Sequence, residues 1–162
     1  MGNTVGKIVS SLTETDKAYI AGFLDGDGTI YASIEPHKEK KFGYRIRIVI
    51  KFSQYTGNIA ILEFLQRKIG VGYISKGKEL SELVIKSQSQ AFELLNLLQP
   101  FLILKQKQLK LALLLLSKRI ISREDTINAA KIADQISLLN LKTKSRRKHT
   151  LQTFLEAISP ND

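Results

Sequence analysis

The sequence predicts an α+β fold of order αββαββα, with further helices appended at its C-terminal end. Three observations predict it. Apolar residues recur at helical spacing from about Glu14 to Asp25 and then at strand spacing through two long segments. The same succession of one helix and two strands returns between Ile59 and Lys86. Beyond Pro100 the pattern is helical alone. Two ββ pairs of this kind are expected to form antiparallel sheet.

The first helix starts at Thr13, which is followed three residues later by Asp16, a short-acid variant of the capping box. Thr29 to Pro36 and Phe42 to Ser53 read as long strands joined by the polar loop His37-Lys-Glu-Lys-Lys41. Ile59, Ile61, Leu62, Leu65 and Ile69 share one face of a second helix. Gly70 and Gly72 punctuate the passage into a second strand pair, about Val71 to Lys76 and Leu80 to Lys86, turning at Lys76-Gly-Lys78. A helix from about Gln90 to Leu98 stops before Pro100. Three more helical stretches follow, about Lys105 to Ile120, Arg123 to Leu141 and Leu151 to Ile158. Gly70-Val-Gly72 is no dinucleotide loop: it follows a helix and precedes a strand, the reverse of the pyrophosphate site, and lacks the third glycine.

With 162 residues the chain is expected to form one domain, its core spanning about 13–120 and a helical extension about 121–162. It has no cysteine, which excludes disulfides and thiolate metal sites. A net charge of +10 points to a polyanionic partner, with nucleic acid favoured over an anionic membrane surface. The longest apolar run, Leu111 to Leu116, is too short to span a bilayer, and the N-terminus lacks the apolar region of a signal peptide. Met-Gly at the start is no myristoylation signal, because Gly6 stands where that motif needs serine or threonine. A soluble intracellular protein without a membrane partner is expected.

Two ordinarily incompatible demands meet in Ile20-Ala-Gly-Phe-Leu-Asp-Gly-Asp-Gly28. Ala18, Gly22 and Gly26 recur every four residues, a helix stripe without side-chain bulk. Glycine costs a helix roughly 1 kcal/mol relative to alanine, and close approach of a second helix is the usual compensation. Asp25 and Asp27 fall where the helix should end, at the negative pole of its dipole, where carboxylates are disfavoured. A bound cation resolves that conflict, and so does exposure to water. An EF-hand beginning at Asp25 is excluded by spacing, since it would need glycine at Ile30 and glutamate at Pro36.

This stretch resembles the signature of the LAGLIDADG homing endonucleases. Ala21, Gly22, Asp25, Asp27 and Gly28 match the name letter for letter, with Ile20, Phe23 and Leu24 apolar at apolar positions and Gly26 small for small. The resemblance extends to the Gly70-Val-Gly-Tyr73 turn, to Leu98-Gln-Pro-Phe-Leu-Ile-Leu-Lys-Gln-Lys-Gln108 and to Asp134-Gln-Ile-Ser-Leu-Leu-Asn140, which are similar to the single-motif members from algal organelles. It implies an organellar, intron-encoded homodimer that makes a double-strand break in a long pseudo-palindromic DNA target and leaves short 3′ overhangs. Ala18, Ala21, Gly22, Asp25 and Gly26 are the expected dimer contacts. The resemblance also implies a curved antiparallel sheet lying in the DNA major groove.

Residue chemistry along the strands agrees with such a surface. Phe42, Tyr44, Ile46, Ile48, Ile50 and Phe52 alternate with Arg45, Arg47, Val49, Lys51 and Ser53. The neighbouring strand offers Tyr31, Ser33 and Glu35, and the second pair offers Tyr73, Ser75 and Glu82. Arginine or lysine reads guanine and glutamate accepts from cytosine, whereas an isolated cationic strand would be a protected sheet edge. Loop residues His37, Lys38, Lys40, Lys76 and Lys78 extend the candidate contact set. Lys142, Lys144, Arg146 and Arg147 form a second basic cluster, assigned to phosphate positioning. Only two histidines are present, His37 and His149, far apart in sequence, so a surface or DNA-contact role is favoured over metal ligation.

For catalysis the resemblance implies that Asp27 is the metal ligand, with the Gly26 carbonyl adding an oxygen. Magnesium is the expected ion, with manganese substituting and calcium supporting binding without cleavage. Asp25 is expected to close the helix end or bond to neighbouring backbone. Gln54 matches the glutamine that organises water, and Lys105 matches the active-site lysine. Their ordinary readings are a turn-former and a first-turn helix lysine. Asn58 departs from the family pattern, standing where close relatives can place a basic residue. Two other functions compete: an RNA-splicing maturase, which usually carries two motifs where this chain has one, and a DNA-binding module that has lost cleavage.

Overall fold

The structure is a computed structural model that describes residues 7–8, 11–140 and 149–158. It contains a four-stranded sheet of order β1-β2-β4-β3, formed by β1 (Gly28–Pro36), β2 (Tyr44–Tyr55), β3 (Tyr73–Lys76) and β4 (Leu80–Ile85). The helices are α1 (Glu14–Asp27), α2 (Ile59–Ile69), α3 (Gln88–Leu98), α4 (Gln106–Ser117), α5 (Arg123–Leu139) and α6 (Leu151–Ile158). The α+β class and the αββαββα order are therefore those expected. The chain divides into two compact units, Met1–Thr29 with Val49–Gln106, and Ile30–Ile48 with Lys107–Asp162.

In the first unit α1 begins at the expected capping box: Thr13 Oγ1 accepts from Asp16 N, and Asp16 returns the bond to Thr13 N, both at 3.1 Å. Ile20, Leu24, Phe52, Leu62, Leu65, Ile69, Leu83, Leu94 and Leu98 form its core. Burial on this scale, at roughly 25 cal/mol per Å2 of apolar surface, is the main term holding the unit together. The helix runs straight into β1 because residue 28 is glycine. A Cβ there would lie 2.8 Å from the Leu24 Cα, so a side chain would force the two elements apart.

The strand boundaries differ from the sequence reading at several ends. β2 begins at Tyr44 because Gly43 takes φ 73°, in the left-handed region, and closes the preceding turn through His37 N to Gly43 O at 2.7 Å. It continues to Tyr55 because Gln54 and Tyr55 still pair with Ser81 and Leu80 of β4. Gln54 is thus a strand residue rather than a turn-former. β3 starts only at Tyr73, after Gly72 at φ 91°.

In the second unit β1 alternates as expected, with Ile30, Ala32 and Ile34 buried and Tyr31, Ser33 and Glu35 part-exposed. Leu109, Ala112, Leu115, Ala129, Ala130, Ala133, Ile136 and Phe154 complete its core. A second capping box, Ser122 with Asp125, starts α5. α4 stops at Ser117 rather than Ile120, where Ser117 Oγ donates to Leu114 O at 2.8 Å. Asn140 follows α5 and donates its amide to Ile30 O at 3.0 Å, fixing the strand to the helix end.

Candidate active site and nucleic-acid interface

The two acids of the motif have different surroundings. Asp25 is half-buried in the last turn of α1, and its carboxylate accepts from the backbone of Ile103 at 2.7 Å, Leu104 at 3.0 Å and Lys105 at 3.0 Å. Burial alone would raise its pKa, but those three N–H groups and the Lys105 charge hold it below the usual carboxylate range. Bonding to neighbouring backbone was the expected role, yet the backbone in question comes from the loop before α4 rather than from the helix end. Asp27, the last residue of α1, is exposed.

Gln54 Nε2 reaches Asp27 Oδ2 at 3.4 Å, while its own Oε1 accepts from Tyr55 N at 2.9 Å and fixes the amide orientation. The Lys105 ammonium donates to Asp25 O. Burial draws its pKa below that of a free lysine, and the Asp25 and Asp27 charges oppose the shift. Asp27, Gln54 and Lys105, separated widely in sequence, therefore meet at the end of α1. Asn58 is the last residue of a short 3-10 turn (Thr56–Asn58) and is exposed.

The small-residue stripe is open. Among the described residues a Cβ placed on Gly22 or Gly26 would meet nothing within 4 Å, and Ala18 is exposed on the same stripe. Ala21 corrects the expected interface: it is 0% exposed within the protomer and belongs to the core face of α1. Tyr19, Ile20, Ile61 and Phe64 line a pocket of about 450 Å3, to which Asp16 and Lys68, paired at 3.1 Å, also contribute. Ile103 and Leu104, 84% and 72% exposed, were not singled out from the sequence. The signal available was an apolar run, Phe101 to Leu104, placed in a loop.

The sheet carries two ion-pair clusters, one in each unit. In the first unit Lys51 meets Glu82 at 2.9 Å, and Ser53 Oγ approaches the same carboxylate at 3.4 Å. Ser53 and Ser75 lie directly opposite Glu82 on the flanking strands, so the three share one face. Tyr73 shares that face through its pairing with Val84, and Lys86 lies 5.9 Å from its ring centre. Lys76 does not. It pairs with Ser81, opposite Gln54, and so points to the other face, while Lys78 is exposed in the turn.

In the second unit Glu35 receives Arg47 at 3.0 Å and Arg45 at 3.2 Å. Lys38 and Lys40 are exposed in the turn after β1, and His37 at its start is half-buried. Lys142, Lys144, Arg146 and Arg147 lie outside the described residues. Val49, expected on the open face, is buried.

Residues 20–116 match the family model described as LAGLIDADG endonuclease. The chain belongs to the LAGLIDADG homing endonucleases, DNA-cleaving enzymes that work with divalent metal ions. It is 33% identical over 145 residues to the DNA endonuclease I-CreI of Chlamydomonas reinhardtii, covering 87% of this chain and 89% of that one. With I-CvuI of Chlorella vulgaris it shares 31% identity over 125 residues, 75% of this chain and 78% of the relative. A crystal structure of I-CvuI superposes with a TM-score of 0.83 at 28% identity over 90% of this chain and 93% of that one. That structure holds the I-CreI target uncleaved with 2 mM magnesium, and another holds I-CvuI on its own target with 2 mM calcium. An archaeal intron-encoded homing endonuclease bound to DNA shares the fold, with a TM-score of 0.76 at 21% identity. No helix among the described residues is long and apolar enough to cross a membrane.

Proposed function

We propose that two copies of this chain join through the open stripe of α1 and cut both strands of a long pseudo-palindromic DNA site, leaving short 3′ overhangs. The observation that carries this reading is the arrangement of Asp27, Gln54 and Lys105 at the end of a helix face that is bare at Gly22 and Gly26. A two-fold axis through that face brings one exposed Asp27 from each copy to a shared point, and a protein two-fold is matched by related DNA half-sites. The whole chain acts in this reading as one endonuclease domain, encoded in an algal-type organelle.

The residues fit a hard divalent cation. Among the described residues no three His, Cys, Asp or Glu side chains stand together, so one protomer offers Asp27 as its single carboxylate at this point. Asp25 is engaged by three N–H groups. Magnesium takes few carboxylates and completes its shell with substrate oxygens and water. Carbonyls of the last helical turn lack intrahelical partners, which leaves the Gly26 oxygen as a second donor. Held by Asp27 and the Gly26 carbonyl, such an ion would supply water activation and charge neutralisation at the scissile phosphate and the leaving 3′ oxygen. Gln54, held by its Tyr55 bond, orients the attacking water beside Asp27. The Lys105 ammonium, fixed on the Asp25 carbonyl, faces the phosphate charge. Arg45, Arg47, Lys51, Ser75 and Glu82, with Tyr31 and Ser33, read base edges on a surface that also holds Glu35, while Lys38, Lys40, Lys78 and the 142–147 cluster position phosphates.

The test is cleavage of a randomised plasmid library with magnesium or manganese, beside binding in calcium. Selective double-strand cutting supports the reading. A protein that binds selectively in calcium and nicks nothing in either metal overturns it in favour of a binding module.

A further inference from the structure

We propose that Glu35 determines sequence specificity without reading a base itself, by clamping the guanidinium groups of Arg45 and Arg47 so that neither is free to reach a phosphate. The inference rests on the endonuclease reading above and adds a positioning residue to it. Glu35 takes Arg47 Nη2 on both carboxylate oxygens, at 3.0 and 3.2 Å, and Arg45 Nη2 on one of them, at 3.2 Å. The Nε atoms of both arginines are buried and have no hydrogen-bond partner among the described residues. Those buried Nε atoms cannot reach a base; because Glu35 engages each fork through Nη2, the Nη1 amines are the donors that suit an acceptor such as the O6 or N7 of guanine.

Charge bookkeeping explains why the clamp bears on specificity. Two guanidinium groups on one carboxylate leave a single net positive charge where two would otherwise stand. Arginine is always charged, and its planar fork makes directional pairs with carboxylate or phosphate. A bidentate phosphate contact competes with Glu35 for the Nη2 donors, and any phosphate approaching the cluster also meets the negative charge of Glu35, which a neutral base acceptor does not. Base acceptors that use the remaining donors carry no such cost. The clamp therefore disfavours sequence-independent binding, which is mostly phosphate contact, more than it disfavours readout. The Lys51–Glu82 pair lacks this constraint, because an ammonium on a flexible stem reorients readily.

The experiment compares wild type, Glu35→Gln, Glu35→Asp and Glu124→Gln. Glu124 is an exposed residue in the first turn of α5, and its variant removes the same charge outside the cluster. Each folded protein is titrated in calcium with a duplex that the wild type selects from a randomised pool, and with a random-sequence duplex of equal length, over a range of salt. For Glu35→Gln the random duplex is expected to bind at least about fivefold tighter than with Glu124→Gln. The log–log salt slope should steepen by roughly one, and the selected-to-random ratio should fall about fivefold or more. Glu35→Asp keeps the charge on an arm too short to span both forks, so its ratio should fall as well. That result separates clamping from net charge, and decides the matter alone if Glu35→Gln does not fold. An unchanged slope and ratio overturn the clamp, as does a ratio lost only through weaker binding of the selected site. A wild type with no selected site overturns the endonuclease reading and the clamp together, whereas a selective wild type with unaltered variants overturns the clamp alone.

Discussion

Asp25 and Lys105, eighty residues apart, are joined twice: the Lys105 backbone N–H donates to the Asp25 carboxylate at 3.0 Å, and its ammonium donates to the Asp25 carbonyl. With Ile103 and Leu104 also donating to the same carboxylate, the loop that carries the candidate active-site lysine hangs from one acid of the motif. Asp25→Asn removes the charge from three charge-assisted bonds. It is expected to destabilise the fold by about 2–4 kcal/mol and to lower Tm by roughly 5–15 °C. Thermal unfolding beside cleavage of the folded fraction checks this. A Tm within a degree or so of wild type would show that the loop is held by other contacts.

The open stripe of α1 makes a clean test of dimerisation. Among the described residues nothing lies within 4 Å of a Cβ at Gly22, so the first carbon of a Gly22→Leu side chain enters open space. Replacing glycine in a helix also favours the helix, by up to roughly 1 kcal/mol. The variant should therefore stay folded, become monomeric and lose double-strand cleavage. Sedimentation and circular dichroism distinguish this outcome from misfolding. A monomeric wild type that still makes double-strand breaks would remove the two-fold site.

Arg45 and Arg47 should act differently from the basic residues expected to hold phosphates. Substituting an arginine that pairs with guanine costs about 1–3 kcal/mol and relaxes preference at one base pair. Substituting Lys142, Lys144 or Arg146 should weaken all sequences alike and flatten the salt slope. The check is a cleavage profile across randomised half-sites for each variant. Unaltered profiles after changing both arginines would count against readout by the sheet.

Local chemistry was legible in the sequence, and long-range partnership was not. Thr13 and Asp16 announce a capping box that forms as written, and the alternation of β1 reports its buried face residue by residue. The bare stripe at Gly22 and Gly26 was visible for the same reason, since glycine spacing is a local fact. Ala21 was misplaced because a small residue next to a small stripe looks like part of it, while the core face of α1 includes it. The end of β2 was misjudged because its last residues, Gln54 and Tyr55, are held by Ser81 and Leu80 of β4, remote in sequence. Nothing near Asp25 signals that its partners are residues 103–105. Lys76, read from the sequence as part of a turn, is the last residue of β3, and only the register shows that it opposes Ser81.

Glu35 also carries a pH signature. Burial would raise its pKa, but the hydrogen bonds from Arg45 and Arg47 outweigh that and hold it below its ordinary value of 4.5. With a depressed folded pKa, the unfolded chain binds more protons in the window just below that value, so stability is lost as pH falls. Urea unfolding followed between about pH 5 and pH 3 should show a shallower acid decline for Glu35→Gln than for wild type. Parallel curves would mean that the pair is not maintained in solution.

Asp27 decides the active site. Asparagine there keeps the size and the bond to Gln54 while removing the charge that holds a hard cation. Because Asp27 is exposed and receives one long bond, Asp27→Asn should leave Tm nearly unchanged, in contrast to Asp25→Asn. Selective binding in calcium should persist or tighten, since two facing carboxylates no longer repel each other and the phosphates. Magnesium-dependent cleavage should fall by orders of magnitude, because loss of the metal removes water activation and charge neutralisation at once. Binding and cleavage must be measured on the same dimeric preparation, so that a lost dimer is not mistaken for a lost ligand. Near-normal cutting by folded, dimeric Asp27→Asn would place the chemistry elsewhere, whatever Gln54 and Lys105 contribute.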